Sequence, residues 1–249
     1  MRSARAVPSI VLHDLRGVRR DHVALATVLL AVLGTAGVAM LGVFQHRLPG
    51  WSAWLPFVLA VSLVGGPAGF GFLFALLMVD ENDTGVSDAL AVTPIPPTLF
   101  PLVRTIAVTG WMALWPLASV YLMNWTWRAV NLSLMQWLAV VIPLALLTPA
   151  FALLIPTLAR DKVEALAAFK GLSFITLFPL VLFLVPADAA YRVPLFVSPT
   201  SWSVEAYRAF LADQPASGLR WAIGATVYAV LILAIVVHFF GRKVYRQHK

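Results

Sequence analysis

Apolar residues in this chain come in six long runs, separated by short segments that carry most of its charge. A helix needs about 20 apolar residues to cross the hydrocarbon core of a bilayer. The pattern predicts crossings over residues 22–44, 55–79, 102–123, 135–158, 165–185 and 221–240. Ahead of the first run, residues 8–21 read PSIVLHDLRGVRRD. Val11, Leu15 and Val18 recur there at helical spacing, while Arg16, Arg19 and Arg20 fall mostly elsewhere. An apolar stripe beside a basic face predicts a helix lying on an anionic membrane surface.

The segments between the runs set the topology. Residues 80–100 hold the most polar stretch, residues 160–164 (RDKVE) form a tight charged loop, and residues 186–220 form a longer segment with Pro194, Pro199 and Trp202. With the N-terminus inside, thirteen of the eighteen Lys and Arg residues fall on the inner side. The outer five are Arg47, Arg128, Arg192, Arg208 and Arg220. This asymmetry predicts that both termini are cytoplasmic. Trp51, Trp54, Trp125, Trp127, Trp202 and Trp221 lie in or beside the outer segments and predict an aromatic belt at that interface. The expected fold is therefore an all-α integral membrane protein, one transmembrane domain over residues 1–249 with six crossings.

Composition agrees. Hydrophobic residues make up 61% and charged residues 12%, whereas a soluble domain is nearer half and a quarter. Residues 1–21 lack the short apolar core and small-residue cleavage site of a cleavable signal peptide, so the first run is read as a permanent helix. Prolines 67, 116, 143, 149 and 156 fall inside crossings, where neighbouring helices or local kinks must satisfy the carbonyls they free. The glycine cluster at 65–71 (GGPAGFG) is expected to let helices pack closely.

Few residues suggest chemistry. The absence of cysteine excludes disulfides, Cys-ligated zinc, iron–sulfur clusters and a thiol nucleophile. There is no P-loop, no H-E-x-x-H and no G-x-S-x-G. The segment 80–85 (DENDTG) begins like a calcium loop, but Ala91 stands where the bidentate glutamate is required. No catalytic residue, cofactor, metal site or nucleic-acid contact is expected of this chain. Lys170 is the one candidate for an ionisable residue deep within a crossing, and it is close enough to the inner face to snorkel. Anything moved through the protein is expected to be driven from outside the chain.

The inner segment 81–94 reads ENDTGVSDALAVTP, with a glutamate a few residues before a glycine and a leucine and Thr-Pro after it. It resembles the corresponding motif of ABC-2 type transport permeases, and Arg104 also fits. Residues 160–170 (RDKVEALAAFK) resemble the charged inner loop and lysine-bearing fifth helix of the subgroup that includes fluoroquinolone and multidrug export permeases. Residues 193–199 (VPLFVSP) with Trp202 suit the same family. The resemblance implies a cell-membrane exporter subunit, in bacteria an inner-membrane one, moving a hydrophobic drug, lipid or lipid-like compound. It implies a second permease subunit, identical or homologous, and two copies of a separate ABC ATPase that bind ATP and Mg.

The resemblance also implies site residues. Thr84–Val92 would form a coupling helix ended by Thr93 and Pro94, since the residue before proline avoids the helical region. Glu81, Gly85, Ala89, Leu90, Thr93 and Pro94 would contact the ATPase, with Asp161, Lys162 and Glu164 in a second inner loop. Residues 186–220 would form short, partly re-entrant outer helices that close the outer gate. Phe70, Phe174 and Phe178 are candidate pathway-lining residues. Three other readings stay open: a stand-alone secondary carrier or channel, a membrane-embedded lipid-modifying enzyme, and an assembly subunit that transports nothing.

Overall fold

The computed structural model describes residues 22–44, 50–83, 99–128, 130–159, 161–186 and 189–247, and every element among them is helical. The surface helix expected at 8–21 and the loop carrying Gly85, Ala89, Leu90, Thr93 and Pro94 lie outside the described residues. In chain order the helices are α1 (His22–Val43), α2 (Leu55–Asp83), α3 (Leu99–Trp127), α4 (Leu134–Leu158), α5 (Lys162–Leu177), α6 (Pro199–Leu211) and α7 (Pro215–Gln247). Three 3-10 segments join them: Trp51–Trp54, Phe178–Phe183 and Ala190–Val197. Five helices are long and apolar enough to span a bilayer: α2, α3, α4, α5 with its 3-10 extension, and α7. α1 carries a shorter apolar stretch, Val28–Val43, among the described residues.

α4 is the hub. It packs against α2, α3, α5, α6 and α7. Of its most apolar stretch, 72% is buried, against 17% for α5 and α7. The most hydrophobic, charge-free run of the sequence is therefore the one kept from lipid. Its start is fixed locally: Ser133 accepts from the Gln136 amide while the Gln136 side chain accepts from the Ser133 amide, a capping box. Just before it, the Asn124 side chain bonds both the amide and the carbonyl of Val130, closing the α3–α4 turn. The main core joins Leu59, Leu63, Met123, Trp137, Leu144, Leu147 and Tyr207, all at most 1% exposed.

Three of the boundaries that differ from expectation have a local cause. The fifth crossing starts earlier, at Lys162, because the Asp161 carboxylate caps it by accepting from the Val163 and Glu164 amides, each at 2.8 Å. Its α-helical part ends at Leu177 and continues as 3-10 helix, because Pro179 has no N–H to give the Ile175 carbonyl. The last helix begins at Pro215 and not near residue 221. Proline suits the first helical position, and Asp213 (φ 56°) makes the turn from α6. Gly218 and Arg220 consequently belong to α7.

The tryptophan belt is only half a belt. Trp51, Trp54 and Trp125 are exposed as expected. Trp127 is buried, its indole N–H donating to the Val38 carbonyl at 2.8 Å and pinning α1 to α3. Trp202 and Trp221 pack with Phe196 between the outer helices and α7.

Candidate functional site

Three regions hold the described candidate residues. The first is the end of the bundle where α2 runs out and α5 begins. Lys162 bridges to Asp80 at 2.6 Å, with both side chains nearly half exposed. Asp161 is committed to capping α5, and Glu164 lies in its first turn, where a carboxylate complements the helix dipole. Glu81 lies one residue beyond Asp80 in the last turn of α2. The two loops singled out in sequence are thus tied together by an ion pair.

The second region is a cleft of about 260 Å³ between α1, α2 and α3. Phe70, 5% exposed, forms part of its wall, edge-on to Trp111 and Trp115, whose rings stack at 6.1 Å. The glycines around it divide into two groups. A Cβ on Gly66 would meet Met112 Cε at 2.4 Å, and one on Gly71 would meet Phe151 Cβ at 2.8 Å and the Thr148 carbonyl at 2.9 Å. These two serve close packing, as expected. Gly65 and Gly69 do not: a Cβ on Gly69 would meet nothing within 4 Å, and one on Gly65 only Leu177 Cδ2 at 3.8 Å. Both line the cleft, and so does Gly34 from α1.

Phe174 and Phe178 are not part of that cleft. They stack on each other at 5.6 Å on the outside of α5 and are 68% and 44% exposed. Any surface they line is one that this chain offers to something else. Lys170 is likewise exposed and does not enter the bundle.

The third region, which sequence reasoning missed, is built by the outer segment. Arg192 and Arg208 were counted as outer-loop charges. Both instead bond the Glu205 carboxylate, Arg192 through a short contact and Arg208 at 2.8 Å. Arg192 and Glu205 are buried, and the Arg208 guanidinium also lies over the Phe183 ring at 5.8 Å. The Glu205/Arg208 spacing of three on one helix was a readable signal; Arg192, thirteen residues from Glu205, was not. Nearby, Ser198 donates to the Ile175 carbonyl and Thr200 to the Thr176 carbonyl, each at 2.8 Å. Ile175 is the residue whose carbonyl Pro179 leaves unpaired, so the start of α6 latches onto the break in α5. Tyr207 and Ser203, one turn apart on α6, bury hydroxyls with no hydrogen-bond partner among the described residues. Burial against Trp137 holds the Tyr207 phenol well above its usual range, so it stays neutral.

Among the described residues no group of three metal-ligating side chains occurs. What the site offers is an aromatic cleft within a helical bundle, a bridged pair of helix ends and a cap, residues 190–211, latched onto the end of α5. Comparison with known proteins agrees with a transport role. The family model described as "Fluoroquinolones export permease protein Rv2686c-like" matches residues 14–237. Two relatives from Mycobacterium tuberculosis are named fluoroquinolones export permease proteins, MT2760 from strain CDC 1551 / Oshkosh and Rv2686c from strain ATCC 25618 / H37Rv. Each is 26% identical over 255 residues, covering 96% of this chain and 95% of the relative. With its apolar spans, the protein is a multi-pass protein of the cell membrane. The chain belongs to the Rv2686c-like family of fluoroquinolone export permeases.

Proposed function

We propose that this chain is the membrane-spanning subunit of an ATP-driven exporter that moves a hydrophobic drug, lipid or lipid-like compound out of the cytoplasm or the inner leaflet. The family match across nearly the whole bundle carries this reading. α1 serves as a sixth crossing, and both termini are cytoplasmic. Two such permease subunits and two ATPase subunits make the working unit, with ATP and Mg held by the ATPase. The inner loop around Glu81, Gly85, Ala89, Leu90, Thr93 and Pro94 takes the ATPase contact, and the Lys162–Asp80 bridge carries its movement into α2 and α5. Residues 186–214 form the outer gate. The exposed Phe174–Phe178 pair faces the pathway shared with the second permease.

Affinity purification of the tagged chain from native membranes in mild detergent tests the reading. The expected result is an ATP-binding subunit in near-equal amount, whose hydrolysis rises with a fluoroquinolone. Replacing Leu90 with Asp is expected to weaken that association while membrane insertion persists. Fluoroquinolone efflux that persists without any ATP-binding subunit and follows an ion gradient would refute the ATP-driven reading.

A further inference from the structure

The cleft between α1, α2 and α3 sits near the middle of α2, a helix long and apolar enough to span a bilayer. Gly65 and Phe70 are ten and fifteen residues into α2, about 15 and 22 Å from its start, in a hydrocarbon core about 30 Å thick. α1 and α3 are held together at the Val43 end. Trp127 bonds the Val38 carbonyl there, and a Cβ on Gly42 would meet Thr126 Oγ1 at 2.5 Å. Further along, the helices leave a gap. A gap inside a bundle is normally filled by side chains, because interiors pack as densely as organic crystals. Here the three positions that could fill it are Gly34, Gly65 and Gly69, none of whose missing side chains would meet a contact closer than 3.8 Å. Glycine inside a helix costs up to about 1 kcal/mol relative to alanine. At these sites that cost is not offset by close helix packing.

The lining has a definite chemistry. Phe70 and Trp115 supply aromatic surface, and the glycines supply a flat floor of backbone. Thr35 is 8% exposed and lines the cleft, and among the described residues no hydrogen bond engages its hydroxyl. Leu30 and Val61, 71% and 37% exposed, place the mouth on the outside of the helical bundle. The Ser62 hydroxyl also lines the cleft but already donates to the Val58 carbonyl, so Thr35 is the lining hydroxyl with its donor uncommitted. A flat floor, an aromatic wall and these two hydroxyls suit a planar ring system bearing a hydrogen-bonding substituent, better than a round or flexible chain. Ligand pockets of this kind are mostly apolar with a few placed polar groups.

We infer that this cleft is a small-molecule site within one permease subunit, which takes the planar aromatic part of an amphipathic compound directly from the bilayer. The inference rests on the export reading for its choice of probe. It differs from a pathway formed between two subunits in requiring one ligand per chain.

The test uses the full-length chain with its accompanying subunits in lipid nanodiscs, and norfloxacin as probe by equilibrium dialysis. Wild type is expected to bind saturably at one norfloxacin per permease chain. A Cβ at Gly69 meets nothing within 4 Å, so Gly69→Leu carries its side chain into the cleft and is expected to weaken binding by about tenfold or more at an unchanged melting temperature. Gly34→Leu, from the opposite wall, acts the same way and serves if Gly69→Leu misfolds. Gly110→Leu is the control: its Cβ also meets nothing, but the residue is not among those lining the cleft. It is expected to bind as wild type. Thr35→Val keeps the shape and is expected to weaken binding by about threefold or more. Unchanged binding in both Gly69→Leu and Gly34→Leu overturns the cleft while efflux from intact cells leaves the export reading standing. A tightly co-purifying phospholipid lost from both leucine variants, with norfloxacin binding unaffected, assigns the cleft to an acyl chain and overturns it equally. Absence of both binding and efflux in wild type overturns the export reading as well.

Discussion

Glu205→Gln removes one charge from the outer cap and keeps its shape. The carboxylate accepts from Arg192 and from Arg208, and the three side chains are 10%, 11% and 24% exposed for Arg192, Glu205 and Arg208 respectively. Glutamine retains one acceptor oxygen but takes away the carboxylate charge that the two guanidinium groups share. Removing one member of a buried pair costs about 3–5 kcal/mol, because the charge left behind stays desolvated. The partial exposure of Arg208 places the cost at the lower end, about 3 kcal/mol. For a chain of this size each kcal/mol lowers the melting temperature by about 2–4 °C, so a fall of about 6–12 °C is expected. Thermal scanning of the purified protein in detergent, followed by size exclusion, reads it. Arg192→Met alone is expected to cost less, since Glu205 keeps its 2.8 Å bond to Arg208. The double variant is expected to lose less than the two singles together, which marks direct coupling. A Glu205→Gln protein melting within about 2 °C of wild type, or strict additivity in the double, would refute a buried, mutually dependent triad.

Other expectations follow from single contacts. Ser198→Ala is expected to cost about 0.6–1.7 kcal/mol in melting experiments, the range for interhelical hydrogen bonds in membrane proteins. Adding Pro179→Ala, which restores a donor for the Ile175 carbonyl, is expected to recover most of it. Gly71→Ala pushes a methyl against the Thr148 carbonyl and is expected to destabilise by about 1–3 kcal/mol, whereas Gly69→Ala is neutral or stabilising in the same assay. Tyr207→Phe removes a buried, unpartnered hydroxyl and is expected to leave the melting temperature unchanged or raised. Lys162→Met breaks an exposed bridge and is expected to change stability by less than about 1 kcal/mol. Under the proposed coupling role it nonetheless lowers drug-stimulated ATP hydrolysis, and unaltered stimulation would count against that role.

Much of the architecture could be read from residue order because lipid imposes one simple demand. A span must satisfy its own backbone and show apolar side chains, and both conditions leave a mark about 20 residues long. α2, α3 and α4 therefore fall close to where the hydropathy pattern puts them. The same demand hides what faces what. In lipid, buried and exposed sides are equally apolar, so nothing in the sequence sets Phe70, in a wall, apart from Phe174, on the outside. Gly66 and Gly69 are neighbours in one motif yet serve opposite purposes, because their partners come from Met112 and from no residue at all. The segment before the last helix stood out in the sequence by its length and proline content. Its ion triad did not, because Arg192 and Glu205 meet only through the fold of the segment between them.

The break at Pro179 divides the fifth crossing into a stiff part and a soft part. The stiff part, Lys162–Leu177, is a rod of about 24 Å. It is gripped at one end by Asp80 and at the other by Ser198 and Thr200. A rod held at both ends is a lever: tilting it by about 10° displaces its far end by about 4 Å. Under the proposed coupling role, thrust applied at the Lys162 end would reach residues 198–200 as a sideways stroke, with the change to 3-10 helix after Leu177 as the joint.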